Sequence, residues 1–145
     1  MWLYGGDGIP PFRVGSKVVS YPTSPSVPRG QAITPGASGA EGSWTEVVAS
    51  TGEAHFAVLP TFQSETDTTI SDRAYSLDIA IGASTAEEEI ANGYLYAAGT
   101  GDLMDGPYPD FPTFVDIPAS TRLAARASNS GTNDTAYGVM LHCVS

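Results

Sequence analysis

Few side chains in this sequence can do chemistry. Two histidines, His55 and His142, and a single cysteine, Cys143, are the ordinary candidates for a base and a nucleophile. His142 and Cys143 are adjacent, and a thiol held beside an imidazole is an activated nucleophile. Both lie in "TAYGVMLHCV" (135–144), where Tyr137, Val139, Leu141 and Cys143 alternate as on a strand. Neighbouring strand residues point to opposite faces, so His142 is not expected to activate Cys143 of the same chain. Each histidine is expected to be structural. A lone cysteine makes no internal disulfide, and Cys143 reads as a buried thiol.

Acids are plentiful, with 16 Asp and Glu against 6 Lys and Arg. Glycoside hydrolysis needs two carboxylates at a set separation, and nothing in the pattern singles out a pair. The run Glu87-Glu88-Glu89 reads as a solvated patch, with a partner-facing or cation-binding role behind it. "GTGDLMDGPYPD" (99–110) places Asp102, Asp105 and Asp110 among glycines, an oxygen-rich composition that calcium tolerates. The spacing of an EF-hand loop is missing, and a turn-rich surface loop is expected instead. Tyr94, Tyr96, Tyr108, Phe111 and Phe114 surround it, residues that either pack inward or form a binding surface. Nucleotide-binding glycine loops and zinc spacings are absent, so no enzyme, cofactor or metal is expected. Arg122 and Arg126 share one face of "TRLAARAS" (121–128), with Ala124 between them. In a segment this acidic they are expected to pair, with Asp78 and Asp116 as candidate carboxylates. Such pairs would tie strands or subunits together; the alternative is a grip on an acidic sugar.

The elements that carry these residues read as short strands. "SWTEVVAS" (43–50), "EAHFAVL" (53–59), "AYSLDIAIGA" (74–83), "GYLYAAG" (93–99), "FPTFVDI" (111–117), "TRLAARAS" and the closing run are separated by Gly, Pro, Asn, Asp and Ser clusters. Leu77, Ile79 and Ile81 share one face of their strand, and Asp78 lies on the other. Seven or eight strands so spaced predict an all-β, antiparallel β-sandwich, jelly-roll-like, with an extended N-terminal arm. "STAEEEIANG" (84–93) alone has helical features, with Ser84 as a cap and Glu87 three residues on; a solvated acidic loop is the alternative.

At 145 residues and 15.0 kDa the chain is one domain with an arm. Residues 1–42 carry three basic and two acidic side chains, and residues 43–145 carry three arginines against fourteen acids. Six of the 11 prolines and eight of the 16 glycines also fall before residue 43. The reading is therefore an arm over 1–42 and a sandwich over 43–145. The arm holds too little apolar surface to offset the entropy of ordering it, so it needs a surface to lie on. That surface is expected to be a neighbouring subunit, with Trp2, Leu3, Tyr4, Phe12 and Arg13 as anchors. The alternative is an edge strand on its own body, formed by "SKVVSYP" (16–22). The net charge of −10 argues against nucleic acid as a partner. No secretory leader or membrane-length apolar run is read, and synthesis in a reducing compartment is expected.

"SWTEVVAS", "SLDIAIGAS", "FVDIPASTRLAARASNS" and "AYGVMLHCVS" together resemble a family of small β-sandwich structural proteins of tailed bacteriophage virions. The family pattern has an Ile-Pro-Ala-Gly-Thr-Arg-Ile-Ala-Ala-Arg hairpin, against which this chain has Ser120 for glycine and Leu123 for isoleucine. The likeness covers about residues 43–145. It implies a virion component made in the host cytoplasm: a head decoration (cement) protein on the outer capsid surface, bound to the major capsid protein. The alternative it implies is a tail or fibre element, bound to tail proteins and recognising a host glycan or protein. Such modules commonly form homotrimers.

Overall fold

Alternation of apolar and polar side chains buries one face of each strand, and two such faces close on each other here. A computed structural model describes residues 16–23, 30–36, 39–62, 73–98, 112–130 and 136–145. Nine strands follow in order: β1 (Val18–Tyr21), β2 (Gln31–Ile33), β3 (Thr45–Val48), β4 (His55–Phe62), β5 (Arg73–Ile81), β6 (Glu88–Ala98), β7 (Thr113–Ile117), β8 (Leu123–Asn129) and β9 (Ala136–Val144). One sheet runs β1-β9-β4-β7, with β2 also on β9; the other runs β3-β8-β5-β6. Every pairing is antiparallel.

The pairing is nested. β2 pairs with β9, β3 with β8, β4 with β7, and β5 with β6. A single long hairpin is thus rolled up so that successive rungs fall in alternate sheets, the jelly-roll arrangement. The bonds β4–β9 and β5–β8 then close each sheet. Between the sheets lie Tyr21, Ile33, Val58, Ile117, Val139, Leu141 and Cys143 from one side. Val47, Tyr75, Leu77, Ile79, Leu123, Ala125 and Ala127 meet them from the other. The all-β sandwich is as the alternation predicts.

Two expectations are corrected. The division at residue 42 does not separate an arm from a body over the described residues. Strand β1 lies along the C-terminal half of β9, Val18 opposite Val144 and Tyr21 opposite Leu141, and β2 lies along the N-terminal half. Tyr21 and Ile33 are core side chains, 3% and 0% exposed. β1 falls in "SKVVSYP", the stretch read as the alternative edge strand, whereas β2 is hidden because a three-residue strand among Gly and Pro shows little alternation. The anchors Trp2, Leu3, Tyr4, Phe12 and Arg13 lie outside the described residues. The second correction is at 84–93, where a turn precedes β6 and no helix forms. The turn uses left-handed φ angles at Gly82 (106°) and Thr85 (70°). Ile90 then packs against the core, and pairing with β5 satisfies the backbone that a helix would have bonded internally.

The turn between β7 and β8 is held by a buried threonine. Thr51 Oγ1 donates to the Pro118 carbonyl (3.1 Å) and accepts from the Thr121 amide (3.1 Å). Its carbonyl accepts from the Ser120 amide (2.9 Å). Ser120 has φ of 61°, the left-handed region that favours glycine.

Candidate functional site

The outer face of β3-β8-β5-β6 gathers the arginines. Asp78 stands directly opposite Arg126 across the β5–β8 ladder, so the pair meets by register alone. Arg126 Nε donates to Asp78 Oδ2 (3.1 Å), Nη1 meets Glu41 (2.6 Å) and Nη2 meets Glu89 (2.8 Å). The guanidinium carbon also sits 4.4 Å from the ring centre of Trp44, a cation–π contact. The other carboxylate oxygen of Asp78 accepts from the Gly93 amide (3.0 Å), where β6 bulges and Gly93 takes φ of 71°. Arg122 donates from Nε to Glu46 (3.0 Å), and from Nη1 to Glu87 (3.2 Å) and the Gly82 carbonyl (3.1 Å). Burial would raise the Glu87 carboxyl, but backbone hydrogen bonds at Glu87 and Thr85 and the Arg122 guanidinium outweigh it and hold it low. Beneath this layer Ala80 and Ala124 are fully buried although they point away from the core.

The arginines therefore tie β3, β5, β6, β8 and the segment ahead of β3 within one chain. Asp78 takes part as the sequence suggests. Asp116 does not: it is exposed on β7, in the opposite sheet, and the partners of both arginines are Glu41, Glu46, Glu87 and Glu89. Sequence separation hides these four: the β3–β8, β5–β8 and β5–β6 pairings bring in Glu46 and Glu89, and the segments leading into β3 and β6 bring in Glu41 and Glu87. Two members of the supposedly solvated run, Glu87 and Glu89, are in fact fastened.

The other outer face, on β1-β9-β4-β7, is apolar across one row. Val18, Val144, Ala57 and Phe114 stand side by side on four strands, with Val18 60% and Phe114 38% exposed. In the next row His142 bridges two hydroxyls, Ser20 Oγ at Nδ1 (2.7 Å) and Thr61 Oγ1 at Nε2 (2.8 Å). Cys143 points the opposite way into the core, and burial pushes its thiol up to about 12. A thiol so held is neither ionised nor reachable by His142. His55 is buried and meets Tyr21, its Nε2 3.1 Å from the phenol oxygen and the rings edge-on at 5.8 Å.

Tyr94 reaches from β6 across to Thr113 Oγ1 on β7, and burial raises its phenol. It is a cross-sheet strut, half-buried in the edge of the sandwich. An open groove of about 380 Å³ is lined by Thr34, Pro35, Gly36, Glu41, Gly42, Ser43 and Thr45; its one carboxylate is engaged by Arg126. Among the described residues no cluster of three or more His, Cys, Asp or Glu is placed to hold a metal ion. Asp102, Asp105, Asp110, Tyr108 and Phe111 lie outside the described residues. No described helix is long and apolar enough to cross a membrane. Comparison with protein-family models, with curated proteins and with solved structures returns no match.

Proposed function

We propose that this chain is a bacteriophage virion structural protein, a capsid decoration (cement) protein that clamps neighbouring capsid subunits and trimerises. The observation that carries this reading is how the side chains divide between the two outer faces. One face is closed by its own ion pairs, whereas the other leaves Phe114 exposed on the edge strand β7 and Val18 exposed on β1, the strand at the opposite edge. Residues 1–15 lead into that edge and carry Trp2, Leu3, Tyr4 and Phe12, large side chains of the kind that fill pockets on a partner, with Arg13 to pair an acid. The major capsid protein is the partner in this reading. Three copies acting together would multiply modest contacts into slow release.

The likeness of the hairpin at 117–126 to the phage family supports the same reading. Ser120, in a glycine conformation, fits that pattern. The experiment is a deletion of residues 1–15, followed by incorporation into particles and a measurement of mass in solution. The deleted protein is expected to stay folded and to be missing from the particle; full incorporation overturns the clamp. A copy number matching the capsid lattice supports decoration. A handful of copies per particle turns the assignment to a tail or fibre component that binds a host glycan or protein.

A further inference from the structure

Both histidines of the chain meet the same short strand. His142 Nδ1 bonds Ser20, and His55 Nε2 bonds Tyr21, so consecutive residues of β1 each rest on an imidazole. We propose that β1 is an acid-released strand: it stays on β9 while the His55 ring is neutral, and protonation of that ring frees it while the β3-β8-β5-β6 sheet remains folded.

The geometry at His55 supplies the argument. Its Nδ1 is buried and has no hydrogen-bond partner. In the neutral ring that nitrogen can be the bare lone pair, with Nε2–H donating to Tyr21. Protonation places a second N–H there, in a site with no acceptor, which is the costly way to bury a donor. Withdrawal of Tyr21 admits water and removes the cost. The groups around His55 are Tyr21 from β1, Ile117 from β7, Glu53 just before β4 and Lys17 just before β1. Glu53 favours the charged ring and Lys17 opposes it, while the two pair with each other at 2.5 Å. Asp116, beside Ile117, is exposed on the far face of β7.

His142 is faced by Val18 and Ser20 from β1, by Leu59 and Thr61 from β4, and by Met140 and Val144 on its own strand. None of these is charged, and the Ser20 and Thr61 hydroxyl oxygens can accept from both nitrogens of a protonated ring, so the release rests on His55. Burial lowers both histidines below their ordinary value. The sign follows: a lowered folded value means the closed state binds fewer protons than the open one, so closure is favoured above about pH 6.5 and weakens below it. β1 is suited to leave alone, because it is a four-residue strand on a sheet edge and Val18 is already in water.

Hydrogen exchange on the full chain, from about pH 7.5 to about pH 5.0 and corrected for intrinsic rate, tests this. The opening constant of the amides at 17–21 is expected to rise below about pH 6.5 by up to ~10-fold per pH unit. Amides of β5 and β8 are expected to keep their protection. A His55→Gln, His142→Gln double variant is expected to lose the pH slope. Flat protection of β1, loss of β1 and β5 together, or an unchanged slope in the double variant overturns the proposal. Should the variant fail to fold, the histidine ring signals of the wild type decide. Rings that titrate below their ordinary value as β1 opens support it; rings that titrate at about pH 6.5 with β1 still protected overturn it.

Discussion

Arg126 shows what a single guanidinium does on a sheet face. Each of its three nitrogens meets a different carboxylate, and Trp44 covers its plane. Arg126→Ala would leave Asp78, Glu41 and Glu89 facing one another. Asp78 is the most sheltered of them, its side chain 10% exposed. Removing one partner of a buried pair costs about 3–5 kcal/mol, and partial exposure here brings the expected loss down to about 2–3 kcal/mol in urea unfolding. The loss is expected to shrink in high salt, because what remains is repulsion among acids. A loss under about 0.5 kcal/mol would mean the face is held by packing alone. The pairing of Arg126 with Asp78 could be read from sequence because each alternates onto the polar face of its own run. The exchange of Asp116 for Glu46 and Glu87 could not, since it depends on which strands share a sheet. The two β1 contacts of the histidines were hidden: "SKVVSYP" reads as a possible edge strand, but nothing in it says which strand it lies on.

Strand pairing was legible where apolar residues repeat every second position. β5 and β9 each show three or more in register, and both lie at the centre of the fold. β6 was harder, because its first half is acidic and helix-like in composition. Its edge position tolerates those charges, which discourage a further strand from adding there. The crossing from β2 to β3 depends on two glycines. A Cβ on Gly42 would come within 2.1 Å of the Thr34 carbonyl oxygen, and one on Gly36 within 2.6 Å of the Ala40 and Glu41 carbonyls. Gly42 also donates its amide to the Ala127 carbonyl at 2.8 Å, so it cannot shift without loosening β8. Gly42→Ala is expected to lower the thermal midpoint, with a cost of about 1–3 kcal/mol. Gly52→Ala is the control: open space surrounds the new methyl, and the change is expected to be neutral or stabilising by up to about 1 kcal/mol.

Across the molecule, the arginine ion pairs and the exposed Val18 and Phe114 lie on different faces, with Asp116 the charge beside Phe114. The acids near the arginines lie on one outer face, while the opposite face carries Val18 and Phe114 and the uncharged bridge of Ser20, His142 and Thr61. This sorting was not legible from composition, which shows only that the acids outnumber the bases; it emerges from the roll of the hairpin. The nested pairing also governs how the chain can be made. Among the described strands only β5 and β6 are partners adjacent in the sequence, and each outer rung joins segments further apart, until Val18 must find Val144. During synthesis β1 therefore waits, without its β9 partner, until β9 leaves the ribosome. Refolding after dilution from urea is expected to be slow for a chain of this size, in the range of milliseconds to seconds. Shortening the chain before β9 is expected to leave no cooperative transition at all, because β1, β2 and β4 would lose their common neighbour in one cut.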